Sequence, residues 1–184
     1  MKNLAFTTRW LGVTRVLYTK VGVCLPITQE EARTQRVELK EYIAIWDTGA
    51  TNSAITKKVA DNLGLKPTGV TEVRHAKGVS STNTYLVNIF LPNTVMVGQV
   101  RVTEVDLISD GNVADEMKPQ LLIGMDIIGL GDFAVTNYGG KTTLSFHMPS
   151  VEEIDFVPKA DENNLMETGN RHTRRAWEAK KRKH

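Results

Sequence analysis

Asp47-Thr48-Gly49 is the part of this 184-residue chain best suited to chemistry. It follows Tyr42-Ile43-Ala44-Ile45-Trp46, a strand-like run, and precedes Ala50-Thr51-Asn52-Ser53. A strand that ends on a carboxylate fixes where the acid is delivered. A small hydroxyl residue and a glycine then let the backbone turn tightly and lock by hydrogen bonding. Such a carboxylate can act as a shared acid and base. The same tripeptide also makes ordinary turns, so its meaning depends on the rest of the chain.

A second apolar run, Leu121-Leu122-Ile123-Gly124, reads as a buried strand ending at a glycine. Asp126 then starts a single helical turn and reads as its cap, since Met125, Ile127 and Ile128 around it are apolar. Asp132 reads as a turn residue after Gly131. No other residues assemble into a reactive pattern. His75, His147, His172 and His184 are scattered without metal-ligand spacing. Cys24 lies among apolar residues and reads as a core thiol, with no base pattern beside it. Met96 and Met125 read as core filler, and Trp46 as a packing residue just before the loop.

The elements that must carry the loop are mostly short strands. Residues 12–25 are rich in β-branched side chains and predict two strands before Pro26. Residues 29–40 are polar and read as a loop or hairpin. Asn52 or Ser53 is a candidate cap for a helix whose apolar stripe is Ile55, Val59 and Leu63, ended by Gly64. Residues 70–91 predict a long hairpin with its tip near Lys77-Gly78-Val79-Ser80, able to project over a cleft. Residues 95–105 alternate as a strand with Gly98 at a bend or bulge. Asp110-Gly111-Asn112 reads as loop. Phe133 to Thr136 and Thr142 to Phe146 flank Asn137-Tyr138-Gly139-Gly140-Lys141, a further hairpin.

The expected organisation is a folded domain over 1–150, a linker over 151–170 and a basic tail over 171–184. That tail holds seven Lys or Arg and one Glu within a chain of net charge +2, so the preceding body is net acidic. This is the charge pattern of a domain with an appendage, not of a nucleic-acid-binding fold. A nucleic acid or acidic partner for the tail is the alternative to a solvated end, and Trp177 among its cations could stack on bases. A single cysteine excludes an internal disulfide. No signal-like or membrane-length apolar run is visible, so the expectation is a cytoplasmic protein with no membrane association.

With both apolar-strand motifs in view, the chain resembles the retropepsin-like aspartic proteases, single-lobed relatives of pepsin. The residues that carry the resemblance are Asp47-Thr48-Gly49-Ala50, the hairpin around Gly78, and Leu122-Ile123-Gly124 before Asp126, in that order. The resemblance implies an all-β fold, a closed barrel with one or two short helices. It implies an aspartic endopeptidase without metal or cofactor, with Asp47 catalytic and Thr48, Gly49 and Ala50 supporting the active-site loop. Gly78 and Val79 of the flap and Ile123 of the cleft would meet a peptide or protein substrate bound as an extended strand.

Two carboxylates are needed to share one proton and hold one water, yet the chain has one Asp-Thr-Gly and no internal repeat. The expectation is an obligate homodimer contributing Asp47 twice, most active in mildly acidic conditions. Many retroviral members pair an aspartate after the alanine with an arginine after the second glycine. Thr51 and Met125 stand in those places, so both partners are absent together. The alternative function is a catalytically inactive peptide-binding or assembly module of the same fold.

Overall fold

The computed structural model describes residues 3–34, 36–75, 78–92, 94–107, 114 and 117–168. Two compact units are distinguished, Met1–Val151 and Glu152–His184.

Among the described residues, ten strands make up the first unit. β1 (Leu4–Arg9), β2 (Tyr18–Cys24), β3 (Lys40–Trp46) and β4 (Ala54–Ile55) come from the first third of the chain. β5 (Gly69–His75), β6 (Gly78–Phe90), β7 (Met96–Glu104), β8 (Leu121–Ile123), β9 (Asp132–Thr136) and β10 (Thr143–Met148) follow. The larger sheet runs β2-β3-β8-β4-β7-β6-β5, and a further pairing of β2 with β6 closes its first six strands into a barrel. The fold is therefore the closed, mostly β architecture expected from the sequence. β5 lies outside the closure, and residues 78–83 of β6 pair with β5 alone, so these two strands form a ribbon continuing from the barrel wall.

Alternation of burial explains why these segments are strands. In β2, Val21 and Val23 point inward while Tyr18 and Lys20 face out. In β6 and β7, Tyr85, Val87, Ile89, Val100 and Val102 do the same. The bulge expected at Gly98 is present: between the pairs Val87–Val100 and Ile89–Val97, Asn88 alone faces Gly98 and Gln99, and Gln99, at φ 54°, donates its N–H to Asn88 Oδ1 at 2.8 Å.

Among the described residues, three α-helices complete this unit, α1 (Gln29–Thr34), α2 (Lys57–Leu63) and α3 (Met125–Ile128), with a 3-10 turn at Tyr138–Gly140. α1 corrects the expected loop. Thr28 accepts from the Glu31 N–H and Glu31 accepts from the Thr28 N–H and hydroxyl, a reciprocal cap that the polar composition hid. α2 starts after Thr56, not Asn52 or Ser53, because residues 54–55 are drawn into β4 between β7 and β8. It ends, as expected, at Gly64 in the left-handed region.

The smaller sheet, β1-β10-β9, joins the start and end of the unit, with Leu4 opposite Met148 and Arg9 opposite Thr143. Its fully buried Phe146 meets Trp46 with ring centroids 5.3 Å apart, and Phe6 and Phe133 lie 5.7 and 5.8 Å from the same indole. β1 precedes the region where strands were expected, because only Leu4 and Phe6 of its six residues are strongly apolar. Asp132, expected in a turn, opens β9, and its carboxylate accepts from the Ser150 hydroxyl and from the Val151 N–H at 2.8 Å.

In the second unit, α4 (Val157–Thr168) occupies most of the stretch read as linker. Asp155 Oδ1 accepts the Val157 N–H at 2.9 Å, and Pro158 sits in the first turn, where its missing N–H costs nothing. The basic tail and Asp110-Gly111-Asn112 lie outside the described residues. Among the described residues no helix is long and apolar enough to cross a membrane.

The aromatic cluster seats the strand that ends at Asp47. Trp46→Ala should lower the free energy of unfolding by about 3–5 kcal/mol, as large aromatic truncations in cores do. Urea denaturation followed by circular dichroism would measure it.

Candidate active site

β3 delivers Asp47. Its last residue, Trp46, is buried, donates its N–H to Leu17 O at 2.8 Å and its indole Nε1–H to Thr19 Oγ1 at 2.9 Å. The end of the strand is thus fixed on both its backbone and its side chain. β3 runs parallel to β8 with Trp46 opposite Ile123, and Asp47 extends that register by donating its N–H to Ile123 O at 2.9 Å.

The chain then turns. Gly49 N–H donates to Asp47 Oδ1 at 2.8 Å and Ala50 N–H to Asp47 O at 3.2 Å. One carboxylate oxygen is therefore held by its own loop, an Asx turn. A Cβ at position 49 would lie 3.2 Å from that oxygen, a tight contact that the carboxylate would have to ease by shifting slightly. Asp47 and Ala50 are half-buried, while Thr48 and Gly49 are exposed. The loop presents a carboxylate and a threonine hydroxyl outward from a rigid base.

That base is a second layer of hydrogen bonds. Met125 N–H donates to Ala50 O at 2.8 Å and Asp126 N–H to Thr51 O at 3.1 Å. Ser53, fully buried, donates its N–H to Asp126 Oδ2 at 3.0 Å and its hydroxyl to Asp126 Oδ1 at 2.7 Å. The same hydroxyl accepts the Gly124 N–H at 3.0 Å, and Asp126 Oδ1 also accepts the Ile127 N–H at 3.0 Å. The cap role expected of Asp126 is corrected: the residue lies inside α3, whose N-cap is Gly124 with no side-chain cap bond, and its main contacts are to Ser53. Sequence reading offered Ser53 only as an alternative helix cap and missed its bonds to Asp126.

The strand–glycine motif has a steric reason. A Cβ on Gly124 would stand 2.6 Å from Asn52 C, 2.7 Å from Asn52 O and 3.0 Å from Ala50 O. The two loops approach backbone to backbone there, which no larger residue permits. Ile123, expected to line the cleft, is instead fully buried; it serves the site through the carbonyl that receives Asp47. Met125 is also corrected, from core filler to a side chain 42% exposed beside Ala50.

The ribbon expected as a flap is present as β5 and β6, with His75 opposite Gly78 and Arg74 opposite Val79. Residues 76 and 77 at its tip, and the side chains of 73–75 and 78–80, lie outside the description. Its base is anchored by Glu104. That residue's carboxylate accepts from the Tyr85 hydroxyl at 2.5 Å and from Asn83 Nδ2 at 3.4 Å, while its backbone oxygen accepts from the Thr82 hydroxyl at 2.8 Å. Burial first, then the bond to Glu104 and its charge, raise the Tyr85 phenol above its ordinary value of 10.0. Burial likewise raises the Cys24 thiol, which sits in the core as expected. Among the described residues no group of three or more His, Cys, Asp or Glu side chains is placed to hold a metal.

A family model described as "gag-polyprotein putative aspartyl protease" matches residues 34–129, more than half of the chain and inclusive of both strand–glycine motifs. Among solved structures the chain is similar to a retropepsin-like aspartic protease from Rickettsia conorii. The two share 14% identity at a TM-score of 0.43, over 80% of this chain and 96% of that one. Comparison with curated proteins gives no match.

Two outcomes test this geometry. Gly124→Ala should destabilise the protein by about 1–3 kcal/mol, the usual cost of overpacking, whereas Gly12→Ala, with nothing within 4 Å of its added methyl, should be nearly neutral in urea unfolding. The raised Tyr85 pKa stabilises the fold fully below the unfolded phenol's pKa and loses that contribution as pH climbs through the folded value. Melting curves should accordingly decline above pH 10.0 less steeply for Tyr85→Phe than for wild type.

Proposed function

The chain belongs to the retropepsin-like family of gag-polyprotein aspartyl proteases, and from that membership we propose that it is an aspartic endopeptidase built as a homodimer, with Asp47 of each copy sharing one site. The observation that carries the reading is the Asp-Thr-Gly loop. A half-buried carboxylate with Oδ1 pinned by the Gly49 N–H stands at the rim of a rigid frame beside an exposed Thr48.

One such carboxylate is half of the required chemistry. Across a two-fold axis the second Asp47 lies close enough that both cannot readily ionise, so the pair holds a single proton. The ionised member takes a proton from a water lodged between them, and the water oxygen bonds to the scissile carbonyl carbon. The protonated member donates its hydrogen to the carbonyl oxygen as the gem-diol forms. Proton transfer to the amide nitrogen then lets the carbon–nitrogen bond break, releasing a carboxyl and an amine product. The dyad returns to one proton, and every atom is supplied by water and peptide.

The other roles belong to the same proposal. Thr48, exposed on the protomer, is available to bond across the axis and hold the two loops together. Gly49 leaves space for a substrate main chain, and Ala50 borders the cleft. The β5–β6 ribbon, including Gly78 and Val79, closes on an extended peptide that pairs main chain to main chain. Activity is greatest where the dyad carries its single proton, in mildly acidic solution.

Asp47→Asn should remove peptide cleavage while leaving the dimer intact. Incubation with a diverse peptide library, read by mass spectrometry and paired with sedimentation analysis, measures both. Undiminished cleavage by that variant would reject the assignment, and wild-type binding of peptides without cleavage would favour an inactive peptide-binding module.

A further inference from the structure

Positions 51 and 125, Thr and Met, can form no ion pair across the Asp47 loop, and they hold it through backbone alone: the Thr51 carbonyl accepts from the Asp126 N–H and the Met125 N–H donates to Ala50 O. We propose that Ser53 and Asp126 are the positioning residues that replace such a pair, and that position 126 requires a carboxylate and not an amide. This rests on the reading of Asp47 as the catalytic acid.

The requirement comes from counting donors. Three converge on the Asp126 side chain: Ser53 N–H on Oδ2 at 3.0 Å, and the Ser53 hydroxyl and Ile127 N–H on Oδ1 at 2.7 and 3.0 Å. A carboxylate accepts at both oxygens. An asparagine has one acceptor oxygen and one NH2. With the oxygen at the Oδ1 place, the NH2 faces the Ser53 N–H; with the oxygen at the Oδ2 place, it faces the Ile127 N–H. Either way two donors oppose one another: the first arrangement takes the partner from the Ser53 N–H, and the second takes the acceptor from the buried Ser53 hydroxyl, while the Ile127 N–H keeps its bond to Gly124 O at 3.1 Å.

The serine is equally specific. Its hydroxyl is fully buried, gives its hydrogen to Asp126 and receives the Gly124 N–H at 3.0 Å, so it links the carboxylate to the glycine of the second motif. Removing the hydroxyl frees both ends. The consequence passes to Asp47 through a short path. Residues 50 and 51 are held by the N–H groups of 125 and 126, and Asp47 itself hangs on the Ile123 carbonyl one residue before Gly124. A clamp loosened at 53 and 126 lets residues 47–51 shift against β8. For a proton-sharing pair, whose two members must meet across an axis, a displacement near 1 Å is expensive.

The test uses the full-length chain as wild type, Asp126→Asn, Asp126→Ala and Ser53→Ala, with activity expressed per folded dimer. Asp126→Asn is expected to lower kcat by about 10- to 100-fold with KM changed less than about threefold, the split produced by misplacing a reacting group without losing substrate contacts. Hydrogen exchange should quicken at the amides of positions 125 and 126 while Val87 in the barrel keeps its protection. If the asparagine variant does not fold, Ser53→Ala, which retains the carboxylate, carries the same two readouts. Unchanged kcat per folded dimer in Asp126→Asn, or unchanged exchange at positions 125 and 126, overturns the proposal. Wild-type protein that cleaves no peptide would reject the enzymatic reading instead. Faster exchange at those two amides would then still uphold the clamp, and unchanged exchange would overturn it.

Discussion

The close approach of two backbone turns, residues 47–53 and 123–126, is the constraint on which the site depends. Gly124 lies so near Asn52 that only hydrogen fits between them, and the hydrogen bonds to Ile123, Ala50, Thr51 and Ser53 follow from that proximity. β8 is the pivot. Three residues long, it pairs parallel with β3 on one side and antiparallel with β4 on the other. The Asp47 loop leaves β3 and returns as β4, so it spans its own partner strand. Both of its ends are therefore fixed by the same three residues.

Packing beneath the loop supplies the stiffness that hydrogen bonds alone would not. Trp46 sits among Phe6, Phe133 and Phe146, and these belong to the smaller sheet. Aromatic side chains bury a large area with few rotatable bonds, which makes a firm seat. The barrel thus aims the carboxylate, and the three-stranded sheet keeps the aim.

Much of this was legible in the sequence because it is local. An apolar strand ending in Asp-Thr-Gly, a second ending in Ile-Gly, and a hairpin at residues 70–91 can each be recognised from a few neighbouring residues, and all are present. What escaped recognition depends on long separations or on weak patterns. Ser53 and Asp126 are 73 residues apart, and Asp126 already had a sufficient local explanation as a cap. β4 has two residues, too few to show any period, so Asn52 and Ser53 were assigned to a helix that begins at Lys57. β1 and α1 were obscured by composition: one is a strand with two large apolar side chains, the other a helix made of polar residues. Ile123 was placed in the cleft because its motif is functional, but burial decides what a side chain can touch.

The smaller sheet draws its strands from opposite ends of the first unit, pairing residue 4 with residue 148. Its hydrogen-bonded ladder cannot form until the ribosome has released the segment 143–148, long after Asp47 has emerged. A nascent or truncated chain lacking β10 would have Trp46 without Phe146 over it and the Asp47 loop without a firm seat. This order of assembly leaves the Asp47 loop unseated until the last strand of the domain has been made.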